Sequence, residues 1–144
     1  GLPGMAVLQF AFDGNTENPY LPHNLKESLV LYTGTHDNDT TQGWYESSSE
    51  EVRGNFRNYL NVSGNSAPWD LLRFAYRTIS PLVVVPVQDL LSLGSEARLN
   101  EPGFAMGNWK WRLSEAQLGD LFRESSSYLR LQAEITGRLP LSFS

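Results

Sequence analysis

Leu29-Val30-Leu31-Tyr32-Thr33-Gly34-Thr35-His36-Asp37-Asn38-Asp39 is the stretch on which the reading of the fold turns. Its first half is a short apolar run of branched and aromatic side chains closed by a glycine, which predicts a strand over 29–33. Its second half, Thr35 to Asp39, packs one imidazole, two carboxylates and an amide into five residues. A strand that is apolar along its whole length and ends abruptly in polar chemistry fits a parallel sheet wrapped by helices. There both faces are covered, and functional side chains collect at the C-terminal strand ends.

Working outward, residues 5–11 and 82–87 read as strands of the same kind, nearly continuous in apolar residues rather than alternating. Two helical patterns lie between the second and third strands. Ser48 with Glu51 offers a capping box, and Val52, Phe56, Tyr59 and Leu60 recur at helical spacing. Gly64, between Asn61 and Asn65, ends that helix. Ser66 then caps another with Pro68 in its first turn, Leu71, Leu72, Ala75 and Ile79 form its apolar face, and Pro81 stops it. Strand, helices, strand is the βαβ pattern of an α/β fold. Gln88 to Leu91 predicts one helical turn, and residues 93–112 a long irregular stretch of the kind that often carries function. A last helix is expected over about 114–136, with Ser114 and Gln117 as capping box, Leu118, Leu121, Phe122, Leu129 and Leu131 as apolar surface, and Gly137 just past its end.

The 144 residues amount to one domain, and 40% hydrophobic with 19% charged residues is enough apolar material for a core. A net charge of −5 with two lysines, Lys26 and Lys110, argues against a nucleic-acid partner. The absence of cysteine excludes thiol catalysis, zinc–thiolate sites and disulfides. No apolar run reaches the length of a membrane span, so no membrane partner is expected. The chain opens on a turn, Gly1-Leu2-Pro3-Gly4, and enters a strand at once. Three strands cannot close a barrel, which takes roughly 250 residues, and as an open sheet they would leave two bare edges. The expectation is therefore the C-terminal part of something larger.

Each strand carries polar residues at the same end: Asn15, Glu17, Asn18 and His23 after the first, the His36–Asp37 run after the second, and Gln88, Asp89 and the glycine-containing loop after the third. Structural readings stand beside functional ones. Asp37 could cap a helix near Thr40–Tyr45, and His36 could be a satisfied core imidazole. A divalent-metal site from His36, Asp37 and Asp39 is disfavoured, because neighbours on an extended chain point in different directions. A sugar site suits the residue types better: a carboxylate accepts from ring hydroxyls, an imidazole donates, and aromatic faces pack on the rings. Contacts to the 2-hydroxyl strengthen as a glycosidic bond breaks through an oxocarbenium-like state.

Several long motifs occur in order. They are Gly4-Met5 with Val7-Leu8-Gln9-Phe10-Ala11-Phe12, Asn18-Pro19 with Leu21-Pro22-His23-Asn24, Tyr32 through Thr40, Gly43-Trp44-Tyr45, Gln88-Asp89-Leu90-Leu91 through Asn100, and Gly107-Asn108-Trp109 with Trp111-Arg112. Together, over about residues 1 to 113, they resemble the amylomaltase family, the 4-α-glucanotransferases of glycoside hydrolase family 77. The resemblance implies an α/β fold, the C-terminal part of a (β/α)8 TIM barrel whose last three strands and helices fill residues 1–144. It implies a retaining double displacement on an α-1,4-glucan or maltooligosaccharide donor, with glucose or a maltooligosaccharide as acceptor. The family's nucleophilic Asp and acid/base Glu lie on earlier strands, so the upstream part of the same barrel is the expected partner. By the same resemblance Asp37 is the transition-state stabiliser and His36 contacts the same sugar. Phe10 or Phe12 is expected on the acceptor-side sugar, against core packing for either, and Asn100 is expected to reach a hydroxyl. Asp39 is expected to be structural, Asn38 is left open, and Trp109 and Trp111 are expected to anchor the chain end in the core. No metal and no cofactor are expected, and the location expected is cytoplasmic. A free-standing α-glucan-binding module and a metal-dependent transferase are the alternatives from other classes.

Overall fold

A computed structural model describes residues 2–140. Its sheet has three parallel strands in the order β1 (Met5–Val7), β2 (Val30–Tyr32), β3 (Leu82–Val84). The central strand pairs with both neighbours: Val30 with Met5 on one side and Leu82 on the other, Leu31 with Ala6 and Val83, and Tyr32 with Val7 and Val84. The turn expected at Gly1-Leu2-Pro3-Gly4 begins, at Gly1, outside the described residues.

The strands are where the apolar runs place them, but shorter. β1 was expected to reach residue 11; instead Leu8–Phe10 winds into a 3-10 turn. The expected strand 82–87 stops at Val84, because Pro86 offers no ladder N–H and opens a one-turn helix, α4 (Val87–Leu90). Coverage on both faces holds only in part. The row Ala6, Leu31 and Val83 faces the helices, with Ala6 and Leu31 fully buried. On the opposite face Met5, Leu82 and Val84 remain open to solvent.

α1 (Thr41–Ser47) starts at Thr40, whose side chain accepts from Gly43 N–H. α2 (Glu50–Leu60) starts at Ser49, not Ser48: the Ser49 hydroxyl accepts from Val52 N–H, while the Ser48 hydroxyl donates to Trp44 O and closes α1. It ends on Asn61 in the left-handed region at φ 56°. α3 (Ala67–Tyr76) carries Pro68 in its first turn as expected but stops well before Pro81, so Ile79 lies beyond it, exposed. Phe56 and Leu71, both fully buried, join Ala6 and Leu31 in the layer between these helices and the sheet.

The last helix is interrupted. α5 (Glu115–Asp120) has the expected Ser114–Gln117 capping box, Leu121–Ser125 forms a π-turn, and α6 (Ser126–Ile135) follows, with Gly137 past its end at φ 70°. Its Leu118, Phe122 and Leu131 point to solvent. Among the described residues no helix is long and apolar enough to cross a membrane.

Candidate active-site face

The polar residues after β2 form a tight turn. The Asn38 side-chain oxygen accepts from Thr35 N–H at 2.8 Å and from the Thr35 hydroxyl at 2.9 Å, and Asn38 N–H donates to Thr35 O at 3.1 Å, which together close the chain into a turn. Asn38, which the sequence left open, thus shapes the turn through its side-chain oxygen. Gln9, 5% exposed on the 3-10 turn after β1, reaches across to donate to Asp39 O at 3.0 Å and the Thr41 hydroxyl at 3.3 Å. A side chain on Gly34 would collide with that Gln9 amide, so the approach requires glycine there.

The two carboxylates of the turn diverge. Asp39 accepts from Thr40 N–H at 2.8 Å and from the Ser95 hydroxyl at 2.6 Å, which binds the turn to the loop after α4. Both its oxygens would lie 2.7 Å from a Cβ on Gly43, and the Ser95 hydroxyl would also clash with it, so a side chain there, in the first turn of α1, would disturb this contact. Asp37 points the other way. Its Oδ1 accepts from Asn100 Nδ2 at 2.7 Å and lies 3.3 Å from His36 Nε2. Its Oδ2 takes no hydrogen bond among the described residues, and the side chain is 48% exposed. Helix capping belongs to Thr40, so the capping alternative for Asp37 does not hold. His36 is not a core imidazole either, since its side chain is 58% exposed. With the Asp37 and Asp39 carboxylates turned to different partners, the residues of the metal reading do not converge on one point.

The loop after α4 supplies the rest. Arg98 donates through Nη2 to Asp37 O at 2.8 Å and through Nε to Asn100 O at 2.9 Å. Trp109 is a correction to the core anchor expected from sequence. It is 53% exposed, sits in the left-handed region at φ 62°, donates its N–H to Leu99 O at 2.7 Å, and holds its ring 5.4 Å from the His36 ring. A cleft of about 210 Å³ opens between Thr35, His36, Gln88 and Arg98. Asp37 is not one of its walls; its carboxylate stands outside that cleft.

Asp89 was grouped with the strand-end polar residues, and the structure gives it a different place. It is 2% exposed and accepts from the Thr33 hydroxyl at 2.8 Å, Thr41 N–H at 2.9 Å and the Thr41 hydroxyl at 2.6 Å, tying β2, α1 and α4 together. Burial pushes its carboxyl above the usual range and the nearby Asp39 charge adds to this, while the Thr41 and Thr33 hydrogen bonds oppose it.

The cluster after β1 does not join the others. His23 is held by the Tyr59 hydroxyl at 2.8 Å and Thr16 O at 2.9 Å, and Asn18 by Phe10 O and Tyr20 N–H. Phe10 is exposed at the strand tip, 6.3 Å from Tyr20. Phe12 does not fit the sugar contact expected of it. It is 3% exposed and packs edge-on against Phe56 at 5.1 Å and Tyr59 at 6.1 Å, a core position bordering a separate cavity near His23 and Asn55.

Comparison with known proteins agrees with this architecture. A family model described as 4-alpha-glucanotransferase matches residues 1–118. The 4-alpha-glucanotransferase of Thermus thermophilus is 48% identical over 147 aligned positions, covering 96% of this chain and 29% of that protein. The chloroplastic/amyloplastic 4-alpha-glucanotransferase of Arabidopsis thaliana is 41% identical, covering 96% of this chain and 24% of that protein. The solved amylomaltase from Streptococcus agalactiae in complex with acarbose superposes with a TM-score of 0.89 at 31% identity, over 96% of this chain and 28% of that one. The chain thus spans 24–29% of the length of these proteins, and its three parallel strands with their helices are a segment of the amylomaltase (β/α)8 fold.

Proposed function

This chain belongs to the 4-alpha-glucanotransferase family of glycoside hydrolase 77, and on that premise we propose that it is the C-terminal segment of an enzyme that moves part of an α-1,4-glucan onto the 4-hydroxyl of glucose or another glucan. In this reading the upstream barrel supplies an Asp nucleophile and a Glu acid/base, and the segment supplies Asp37. One observation carries it: the Asp37 carboxylate is steadied on one oxygen by Asn100 and His36, while the other oxygen takes no hydrogen bond among the described residues.

Asn100 Nδ2 is a donor only, so Oδ1 acts as its acceptor and Oδ2 keeps its lone pairs for sugar hydroxyls. Asp37 then accepts hydrogen bonds from the ring whose glycosidic bond is breaking. Those bonds shorten as the anomeric carbon gains positive charge, which makes them worth more in the transition state than in the bound substrate. His36 adds a donor to the same ring, with the Trp109 ring 5.4 Å from its imidazole. Asn100, expected from the sequence to reach a hydroxyl itself, acts in this reading through Asp37. Phe10, exposed at the tip of β1, remains the aromatic residue we assign to the acceptor-side sugar.

The test is the product distribution. The full-length enzyme given maltotriose should release glucose and build maltooligosaccharides longer than maltotriose. Glucose and maltose without any longer product would make it a hydrolase and overturn the reading.

A further inference from the structure

Asp37 lies in no helix or strand, and the residue that donates to its carboxylate, Asn100, lies on an irregular loop of a different part of the chain. The Ser95 hydroxyl ties this loop to Asp39 at 2.6 Å, but at Asp37 itself the carboxylate meets the loop through the 2.7 Å bond from Asn100, whose length depends on how the two backbones are spaced there. Arg98 is the side chain that touches both: Nη2 donates to the Asp37 carbonyl at 2.8 Å and Nε to the Asn100 carbonyl at 2.9 Å. It forms no ion pair among the described residues, so what it brings to these contacts is the shape of the guanidinium, not a partner for its charge. A planar fork with donors at fixed angles holds two carbonyls at a defined spacing; an ammonium, a single point on a flexible stem, does not.

We propose that Arg98 is a positioning residue for the glucanotransfer step: by gripping the backbone on both sides of the Asp37–Asn100 contact, it fixes the rotamer in which Oδ2 meets the sugar. This rests on the role assigned to Asp37 above. Arg98 does not touch the sugar in this account and acts only through the carboxylate.

The measurement is kcat and KM for maltotriose disproportionation by the full-length enzyme carrying Arg98→Lys, Arg98→Met, Asp37→Asn, and Arg98→Met with Asp37→Asn, with thermal unfolding followed in parallel. A misplacement on the order of 1 Å at a reacting centre costs about 10²-fold. Arg98→Met should therefore lower kcat by about that factor at nearly constant KM. Arg98→Lys keeps the charge and most of the stem, is the variant to read if Arg98→Met does not fold, and should fall roughly tenfold. In the Asp37→Asn background, Arg98→Met should cost little more, because the group it positions is gone. Equal losses from Arg98→Met with and without the Asp37 carboxylate, or a wild-type kcat in Arg98→Lys, would overturn the proposal. Near-normal turnover by Asp37→Asn alone would instead remove the assignment beneath it, and the proposal would fall with that assignment.

Discussion

Asp37 and Asp89 are two carboxylates at neighbouring strand ends with opposite surroundings. Asp89 is 2% exposed and meets three donors from Thr33 and Thr41; Asp37 is half exposed and keeps one oxygen without a hydrogen bond among the described residues. The residue types at the strand ends were legible from sequence, and so was the position of His36 and Asp37 just past β2. The internal role of Asp89 was not, because it depends on Thr41, 48 positions away in the chain. Phe10 and Phe12 were indistinguishable for a related reason. They would share a face of an extended strand, but the 3-10 turn breaks that period and leaves one exposed and the other in the core. The buried Asp89 has a consequence with a definite sign. Its folded-state pKa is raised, so its contribution to stability is complete below its unfolded value of about 3.9 and is lost as pH rises through the folded value. Asp89→Asn removes that titration. The stability difference between wild type and variant should therefore be largest near pH 4 and shrink toward pH 7 in urea unfolding. A difference that grows with pH would mean that the hydrogen bonds from Thr41 and Thr33 outweigh burial.

Among the elements, positions were readable and ends were not. The apolar runs located all three strands, and the βαβ order followed. Their last residues were decided by a turn at Leu8 and by Pro86, features that periodicity alone does not weigh. At the start of α2, Ser48 and Ser49 are equally good caps by composition. What separates them is the preceding helix, whose last turn takes the Ser48 hydroxyl onto Trp44 O. Ser49→Ala should therefore lower stability by about 1 kcal/mol. Glu51→Ala, aimed at the box that would form on Ser48, should stay within about 0.5 kcal/mol. Unfolding midpoints of the two variants check this, and the reverse order would restore Ser48 as the cap. Trp109 eluded sequence reading because its exposure follows from a left-handed backbone in an irregular loop, whereas tryptophan by type favours burial.

At the scale of the molecule, the helices cover one face of the sheet. Met5, Leu82 and Val84 on the other face, with Leu118, Phe122 and Leu131 on the last helix, stay exposed. Apolar surface of this kind marks where further protein packs, and the edges of β1 and β3, unpaired among the described residues, do the same for strands. In the enzyme proposed here those surfaces meet the rest of the barrel, and the Asp37 carboxylate faces a sugar that upstream residues cleave. That the three strands could not stand as a closed fold was legible from their number; which surfaces stay bare had to come from the structure. The most direct measurement is maltotriose disproportionation by the full-length enzyme with Asp37→Asn, read beside its thermal unfolding. The account predicts an unchanged unfolding midpoint and a kcat lower by on the order of 10²–10³-fold, the cost of losing a contact made chiefly in the transition state. Near-wild-type transfer by a folded Asp37→Asn enzyme would contradict it.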